Sequence, residues 1–326
     1  MIAEFINKEL PIAGESFEAL QAAVFTHQYG SNPVYRQFCN LVRPAQQVAN
    51  MAKQPPFLPI QFFKTHKVIA GAELPDIVFE SSGTTGTAVS RHFVRRASVY
   101  TSSFLQAFEL QYGHPAHWCI LGLLPSYLER GHSSLVYMVQ QLIERSLHPM
   151  SGFYLHNTDA LARHLQNLES TGQPTLLLGV TYALLHFANT HPMPLQHTII
   201  METGGMKGRQ KELLRQEIHE QLKTAFGVAS IHSEYGMTEL LSQAYSKGDG
   251  LFYAAPWMRV LVRAEDDPLA VSATGKGALN IIDLANVHSC SFIATDDVGE
   301  VYADGSFRVL GRLDNSDIRG CSLLAL

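Results

Sequence analysis

The sequence predicts an α/β fold in which a mostly parallel sheet with flanking helices leads into a smaller, β-rich C-terminal subdomain. Three observations carry that expectation. Apolar and β-branched runs alternate with helix-period segments between residues 77 and 202, the pattern of strand–helix–strand units that build parallel sheets. Past about Ala254 the texture changes to short strand-like runs separated by Gly and Asp turns. A chain of 326 residues, 46% hydrophobic and 16% charged, has room for a buried core and a cleft in one large domain or two of ordinary size.

From Ser16 to about Met51, Phe17, Leu20, Ala23, Val24, Tyr35, Phe38, Leu41 and Val42 recur at helical spacing, broken at Ser31-Asn32-Pro33. This predicts an appended helical segment. The run Pro55-Pro56-Phe57-Leu58-Pro59 blocks helix, and Ile60 to Val68 reads as an extended linker carrying Lys64, His66 and Lys67. The alternation then begins. Ile77-Val78-Phe79 reads as a strand, 81–87 as a polar loop and Ala97 to Tyr112 as a helix. Trp118 to Leu124, Thr175 to Val180 and His197 to Glu202 read as strands, and Ser133 to Glu144 and Thr181 to Asn189 as helices. In the last part Met258 to Arg263, Ala278 to Asp283, Gly299 to Tyr302 and Ser306 to Leu310 read as strands.

Composition excludes several classes. Twenty-four basic against twenty-nine acidic residues give a net charge of -5, which offers no positive field for steering onto nucleic acid. Four cysteines, at positions 39, 119, 290 and 321, form no CxxC pair and are too sparse for a disulfide framework, so a reducing compartment is expected. The first residues lack a basic segment followed by an apolar run, and no stretch of about 18 apolar residues occurs; the expectation is a cytoplasmic protein that does not span a membrane. The fifteen histidines show no HExxH or other metal spacing. Gly131-His132-Ser133-Ser134-Leu135 lacks the last glycine of a hydrolase elbow.

Three segments carry chemistry. Ser81-Ser82-Gly83-Thr84-Thr85-Gly86-Thr87 packs five hydroxyls and two glycines into seven residues after a strand, a composition that cradles phosphate through backbone N–H and hydroxyl donors. It has neither the P-loop nor the GxGxxG spacing, and an ordinary Ser/Thr-rich turn fits it equally. In Ser233-Glu234-Tyr235-Gly236-Met237-Thr238-Glu239 an aromatic ring can stack, a hydroxyl can meet phosphate and a carboxylate can hold Mg²⁺; a turn followed by a helix start is the plain alternative. In Thr295-Asp296-Asp297 and Gly311-Arg312-Leu313-Asp314 a carboxylate suits ribose hydroxyls and an arginine suits phosphate charge, with an acidic hairpin as the alternative.

In this order the segments resemble the adenylate-forming, acyl-CoA synthetase-like superfamily. Its phosphate loop [ST]SG[ST]TG matches Ser81 to Gly86, its YGxTE motif matches Tyr235 to Glu239, its TGD motif matches Thr295 to Asp297 imperfectly, and its hinge motif matches Gly311 to Asp314 with Ile318 to Gly320. Gly204-Gly205 resembles its glycine pair beside adenine. The LuxE-type acyl-protein synthetase branch is similar in Pro59 to Lys64, in Thr203 to Arg209 and in Arg319-Gly320-Cys321-Ser322-Leu323. The resemblance implies the adenylate-forming large-domain fold over 1–326, with a helical N-terminal segment at 1–70, an α/β nucleotide-binding core at 71–250 and a β-rich subdomain at 251–326. The superfamily's small C-terminal domain and its lysine have no counterpart before Leu326, and Arg91, Lys207, Arg209 and Arg312 are the candidate replacements.

It further implies ATP-dependent activation of a fatty or aryl carboxylic acid as an acyl-adenylate, with Mg²⁺, followed by transfer to a thiol. Ser82, Thr84 and Thr85 with the backbone of Gly83 and Gly86 would bind phosphates. Gly204, Gly205, Tyr235 and Gly236 would border the nucleotide, Thr238 would meet the α-phosphate, Glu239 would hold Mg²⁺, Asp297 would take the ribose hydroxyls and Arg312 would sit at the hinge. Cys321 would accept the acyl group as a thioester and offer it to an acyl reductase or a carrier protein. Chemistry supports that role, because a thiolate attacks a mixed anhydride and Arg319 or Arg312 would favour the thiolate; a buried plug is the usual fate of a free cysteine. Cys39, Cys119 and Cys290 are expected to pack, and His232 and the 174–185 stretch are candidates for lining an acyl pocket. Two alternatives stay open: a CoA or carrier-protein ligase completed by a separate small domain, and a non-catalytic nucleotide- or acyl-binding scaffold.

Overall fold

Helix starts near the N-terminus follow local capping chemistry. In the computed structural model, which describes residues 15–43, 48–81, 89–126, 129–204, 215–264 and 267–313, Ser16 caps the helix Phe17–Ser31 through Ala19 N, and Asn32 caps Pro33–Val42 through Tyr35 N. A third helix spans Val48–Lys53. These helices are not appended. Buried Gln28 and Asn32 bond backbone carbonyls of Asn286 and Ser289, and Val24, Phe25 and Tyr35 belong to the main core.

The expected extended run at Ile60 to Val68 is corrected. After the two-residue strand β1, Leu58–Pro59, the chain turns into the short helix Phe62–Thr65, closed by His66 N to Phe62 O at 2.7 Å. The helix buries Phe63 edge-on against His92. Strands β2 (Ile77–Glu80) and β3 (Arg91–Val94) then pair antiparallel. They carry the Ser/Thr-rich segment at their joined end, where Ser81 and Ser90 exchange hydrogen bonds.

A seven-stranded sheet forms the centre. Its strands are β4 (Cys119–Leu123), β5 (Gly152–Phe153), β6 (Thr175–Val180), β7 (Thr198–Thr203), β8 (His232–Tyr235), β9 (Ala244–Ser246) and β10 (Tyr253–Ala254). They lie in the order β10-β9-β8-β7-β6-β4-β5, parallel from β5 to β8 and antiparallel at β9 and β10. Helices Ala97–Tyr112 and Ser134–Ser146 cover one face. Thr158–Thr171, Thr181–Thr190 and Arg215–Phe226 cover the other. Cover on both faces explains why β4 and β6 read as continuous apolar runs.

The C-terminal part is antiparallel and alternates buried with half-buried positions, as in β11 (Met258–Arg263). With β12 (Val271–Ser272), β13 (Gly275–Asp283), β14 (Phe292–Val301) and β15 (Phe307–Arg312) it builds the order β1-β14-β13-β11-β12. One edge of β14 is shared: β1 pairs at Ile293 and Ala294, β15 from Asp297 onward. The mixed α/β architecture with a β-rich C-terminal part therefore stands as expected. Among the described residues no helix is long and apolar enough to cross a membrane.

Candidate functional site

Parallel strands of an open α/β sheet present their C-terminal ends to ligands. β8 ends at Tyr235, and the chain leaves the sheet through Gly236-Met237-Thr238-Glu239. Thr238 is half-buried and Glu239 is 5% exposed. Tyr235 is not an open stacking platform: its ring lies 5.4 Å from Phe307 and 5.9 Å from Phe252. Its hydroxyl donates to Asp297 Oδ2 at 2.8 Å.

Asp297 stands where β14 exchanges β1 for β15 as its edge partner, and its bond to Tyr235 of β8 links the two sheets. Its second oxygen accepts from Arg312 Nε at 2.8 Å. Asp297 is buried, whereas the Arg312 side chain is 58% exposed and reaches the carboxylate from the solvent side. Burial first, then the carboxylate, holds the Tyr235 hydroxyl well above its ordinary pKa, so it remains a donor. Beside them Gln61 Nε2 donates to Asp296 Oδ1 at 2.6 Å, and Leu313 N donates to the Asp296 carbonyl at 2.7 Å. Three segments far apart in sequence thus meet at one carboxylate pair.

Two further carboxylates sit at the strand ends, and the sequence reading did not single them out as a site. Glu234 accepts from Thr203 Oγ1 at 2.5 Å and is paired in register with Tyr245 of β9. Burial raises its pKa to about 7, with Glu202 adding to the rise and Thr203 opposing it. On the other face of the sheet Glu202 accepts from Thr181 Oγ1 at 2.6 Å and lies 3.9 Å from His219 Nε2. Burial works against the Glu202 anion, but His219, Thr181 and Arg215 outweigh it and leave the pKa lowered. The same Thr181 hydroxyl lies 2.9 Å from the carbonyl of Gly204, whose φ of 75° is a left-handed conformation that glycine adopts without strain. One signal was legible, for Glu202 alone: it ends the apolar strand candidate His197 to Glu202, where a charge needs partners.

Of the expected site residues, Gly204, Tyr235, Gly236, Thr238, Glu239, Asp297 and Arg312 lie within the described part, and Tyr235, Asp297 and Arg312 are in direct contact. Ser82, Gly83, Thr84, Thr85, Gly86, Gly205, Lys207, Arg209 and Cys321 lie outside the described residues. Cys39, Cys119 and Cys290 are buried, and desolvation raises all three thiols, Cys39 to about 12 and Cys119 to about 11. His232 is bonded to Tyr112 Oη at 3.1 Å, and burial with Lys247 lowers its pKa to about 4. The apolar 174–185 stretch forms β6 and the following helix, with Leu176, Leu177 and Leu178 in the core.

Comparison with solved structures gives the same architecture. The chain is similar to ATP-bound MatB from Rhodopseudomonas palustris at 18% identity and a TM-score of 0.53, covering 74% of this chain and 49% of that one. An ATP-bound RpMatB-BxBclM chimera, B3, gives 16% identity over the same shares at the same TM-score. The chain spans about half the length of these structures, and at such identity the likeness shows the fold, that of the large domain of adenylate-forming enzymes. Comparison with curated proteins yields no match. A family model described as acyl-protein synthetase, LuxE, matches residues 14–325. Since that match spans nearly the whole chain, the protein belongs to the LuxE acyl-protein synthetase family.

Proposed function

We propose that the chain activates a carboxylic acid with ATP and passes the acyl group to a thiol, with a fatty acid as substrate and Cys321 as acceptor. The observation that carries this reading is that Asp297 is bonded on one oxygen by Tyr235, at the C-terminal end of β8 beside the YGMTE loop, and on the other by Arg312. Asp297 supplies a fixed acceptor for the ribose hydroxyls, and the exposed guanidinium of Arg312 supplies charge toward phosphate. The Ser82 to Gly86 loop would donate to the phosphates, and Gly204 with Gly205 would flank the base. Glu239, a buried carboxylate next to Thr238 in sequence, is the donor type that Mg²⁺ takes, and a cation held there would neutralise phosphate charge.

In the first step a substrate carboxylate oxygen attacks the α-phosphorus, the bond to the β-phosphate oxygen breaks, and pyrophosphate leaves. Thr238 would donate to the α-phosphate as negative charge gathers on it. In the second step the Cys321 thiolate attacks the acyl carbon and AMP departs with the bonding electrons, leaving a thioester. An acyl reductase is the partner that consumes such a thioester.

Intact-protein mass spectrometry with ATP, Mg²⁺ and a panel of fatty and aryl acids tests this. The expected result is an ATP-dependent acyl increment, released by hydroxylamine and absent in Cys321→Ser. An increment that persists in Cys321→Ser overturns the acceptor. No increment and no acid-dependent ATP–pyrophosphate exchange overturns the activity. Glu239→Gln is expected to abolish exchange; a scaffold would keep its nucleotide affinity and show no exchange in either form.

A further inference from the structure

The loop that carries Thr238 and Glu239 is held by buried side chains from two distant parts of the chain. On β3, His92 is fully buried, and its Nδ1 lies 2.8 Å from the carbonyl oxygen of Thr238. A carbonyl only accepts, so Nδ1 carries the proton and the ring is the Nδ1–H tautomer. Burial lowers the pKa of His92 to about 4 against the pull of the Thr238 carbonyl and the Asn286 side chain, which keeps the ring neutral with a single N–H. Phe63 fixes the ring from the side, edge-on at 5.6 Å. From the 3-10 turn Leu284–Asn286, the fully buried Asn286 donates through Nδ2 to the carbonyl of Glu239 at 2.7 Å.

The next residues are held as firmly. Asp283 Oδ2 accepts from Leu241 N at 2.8 Å and Ser242 N at 3.1 Å, while Oδ1 accepts from Ser242 Oγ at 2.5 Å. The carbonyls of residues 238 and 239 and the amides of residues 241 and 242 therefore all bond to side chains outside the loop. Such bonds orient the peptide planes and, through them, the Cα–Cβ vectors of Thr238 and Glu239. β3 is also the strand that leaves the Ser/Thr-rich segment: Ser81 and Ser90 close its neck, and His92 follows two residues later.

We infer that His92 and Asn286 are positioning residues, which set the Thr238–Glu239 peptide and tie it to the hairpin carrying the Ser/Thr-rich segment. The inference rests on the proposed activation of an acid by ATP. Neither side chain touches substrate in this reading; each acts through the backbone of a residue that does. Removing the His92 donor takes from the Thr238 carbonyl its bond to the buried ring and frees the peptide to rotate. The effect falls on the step in which Thr238 and Glu239 act, more than on acid binding.

Four forms test it: wild type, His92→Asn, His92→Leu and Asn286→Ala. Asparagine retains a side-chain N–H at a position comparable to Nδ1, and leucine retains bulk without a donor. In acid-dependent ATP–pyrophosphate exchange, His92→Leu and Asn286→Ala are expected to lose about 10- to 100-fold in kcat, the range for losing one oriented buried hydrogen bond. The KM for the acid should stay within about threefold, since misplacing catalytic groups weakens the transition state more than ground-state binding. His92→Asn is expected to recover most of the rate. Amide hydrogen exchange of residues 237–243 should quicken in His92→Leu and remain near wild type in His92→Asn. Equal behaviour of the Asn and Leu variants, or wild-type rates in His92→Leu, overturns the inference. Wild type without acid-dependent exchange overturns the proposed activity instead, and the amide exchange pattern then still decides the positioning role.

Discussion

Tyr235 Oη donates to Asp297 Oδ2 at 2.8 Å across 62 residues of sequence, joining the end of β8 to the middle of β14. The tyrosine thus reaches the candidate nucleotide site through its hydroxyl, while Phe252 and Phe307 occupy the space around its ring. With Arg312 on the other oxygen, the carboxylate is held from both sides and still has acceptor capacity on each oxygen.

Replacing Tyr235 with Phe removes one of those two bonds. A hydrogen bond to a charged group contributes about 1.5–3 kcal/mol, so the ATP KM is expected to rise about tenfold or more. If the hydroxyl works by orienting Asp297 toward the ribose, 3′-deoxy-ATP should show a smaller difference between wild type and Tyr235→Phe. Steady-state exchange with both nucleotides measures this, and an identical loss for the two nucleotides contradicts it.

Glu234 makes stability depend on pH. Its pKa rises from 4.5 to about 7 in the folded state, first through burial. The sign follows from proton counts: between those values the folded state binds the proton more tightly than the unfolded one. Its contribution is complete below about 4.5 and is lost as pH rises through about 7, a loss on the order of 3 kcal/mol. Glu234→Gln, which is neutral at every pH, should flatten that slope. Thermal midpoints between pH 5 and 8 for both forms give the answer; parallel curves refute it.

How far the sequence reaches is visible in particular elements. Thr175–Val180, Met258–Arg263 and Ala97–Tyr112 have the expected bounds, because a continuous apolar run, strict alternation and a helical period are local signals. β8 escaped notice because His232-Ser233-Glu234-Tyr235 is polar, and its burial depends on partners brought from β7 and β9. The motif residues Tyr235, Asp297 and Arg312 were legible as types, yet their mutual contact follows from β14 changing its edge partner, which no local pattern encodes. His92 and Asn286 were illegible altogether: each is an ordinary polar residue until the fold buries it against a carbonyl.

Gly236 is required by its neighbour. A Cβ at this position would stand 2.5 Å from Glu234 Oε1, so in Gly236→Ala the buried carboxyl must shift, which strains its bond through Oε2 to the Thr203 hydroxyl. The expected destabilisation is about 1–3 kcal/mol, since the site is overpacked and a buried hydrogen bond is strained. Trimming the obstacle in Gly236→Ala/Glu234→Ala should return part of it. Urea unfolding midpoints of the single and double variants test the coupling, and simple additivity of the two losses rejects it.

The N-terminal helix bears on the site through Gln28. Its Nε2 lies 2.9 Å from the Asn286 carbonyl, 3.1 Å from the Val287 carbonyl and 3.0 Å from Ser291 Oγ, and its Oε1 accepts from Ser291 N at 3.0 Å. Gln28→Leu keeps the bulk and leaves that turn unpaired in a fully buried position. A loss of roughly 3–5 kcal/mol is expected, in the range for breaking a buried hydrogen-bond network. Lys223→Ala provides the contrast, because its pair with Glu220 is exposed and contributes less than about 1 kcal/mol. Asn286 in turn holds the Glu239 carbonyl, so Gln28→Leu should also quicken amide exchange at residues 237–243, whereas Lys223→Ala should not. Destabilisation without that quickening would separate the helix from the site and leave Gln28 a purely structural residue.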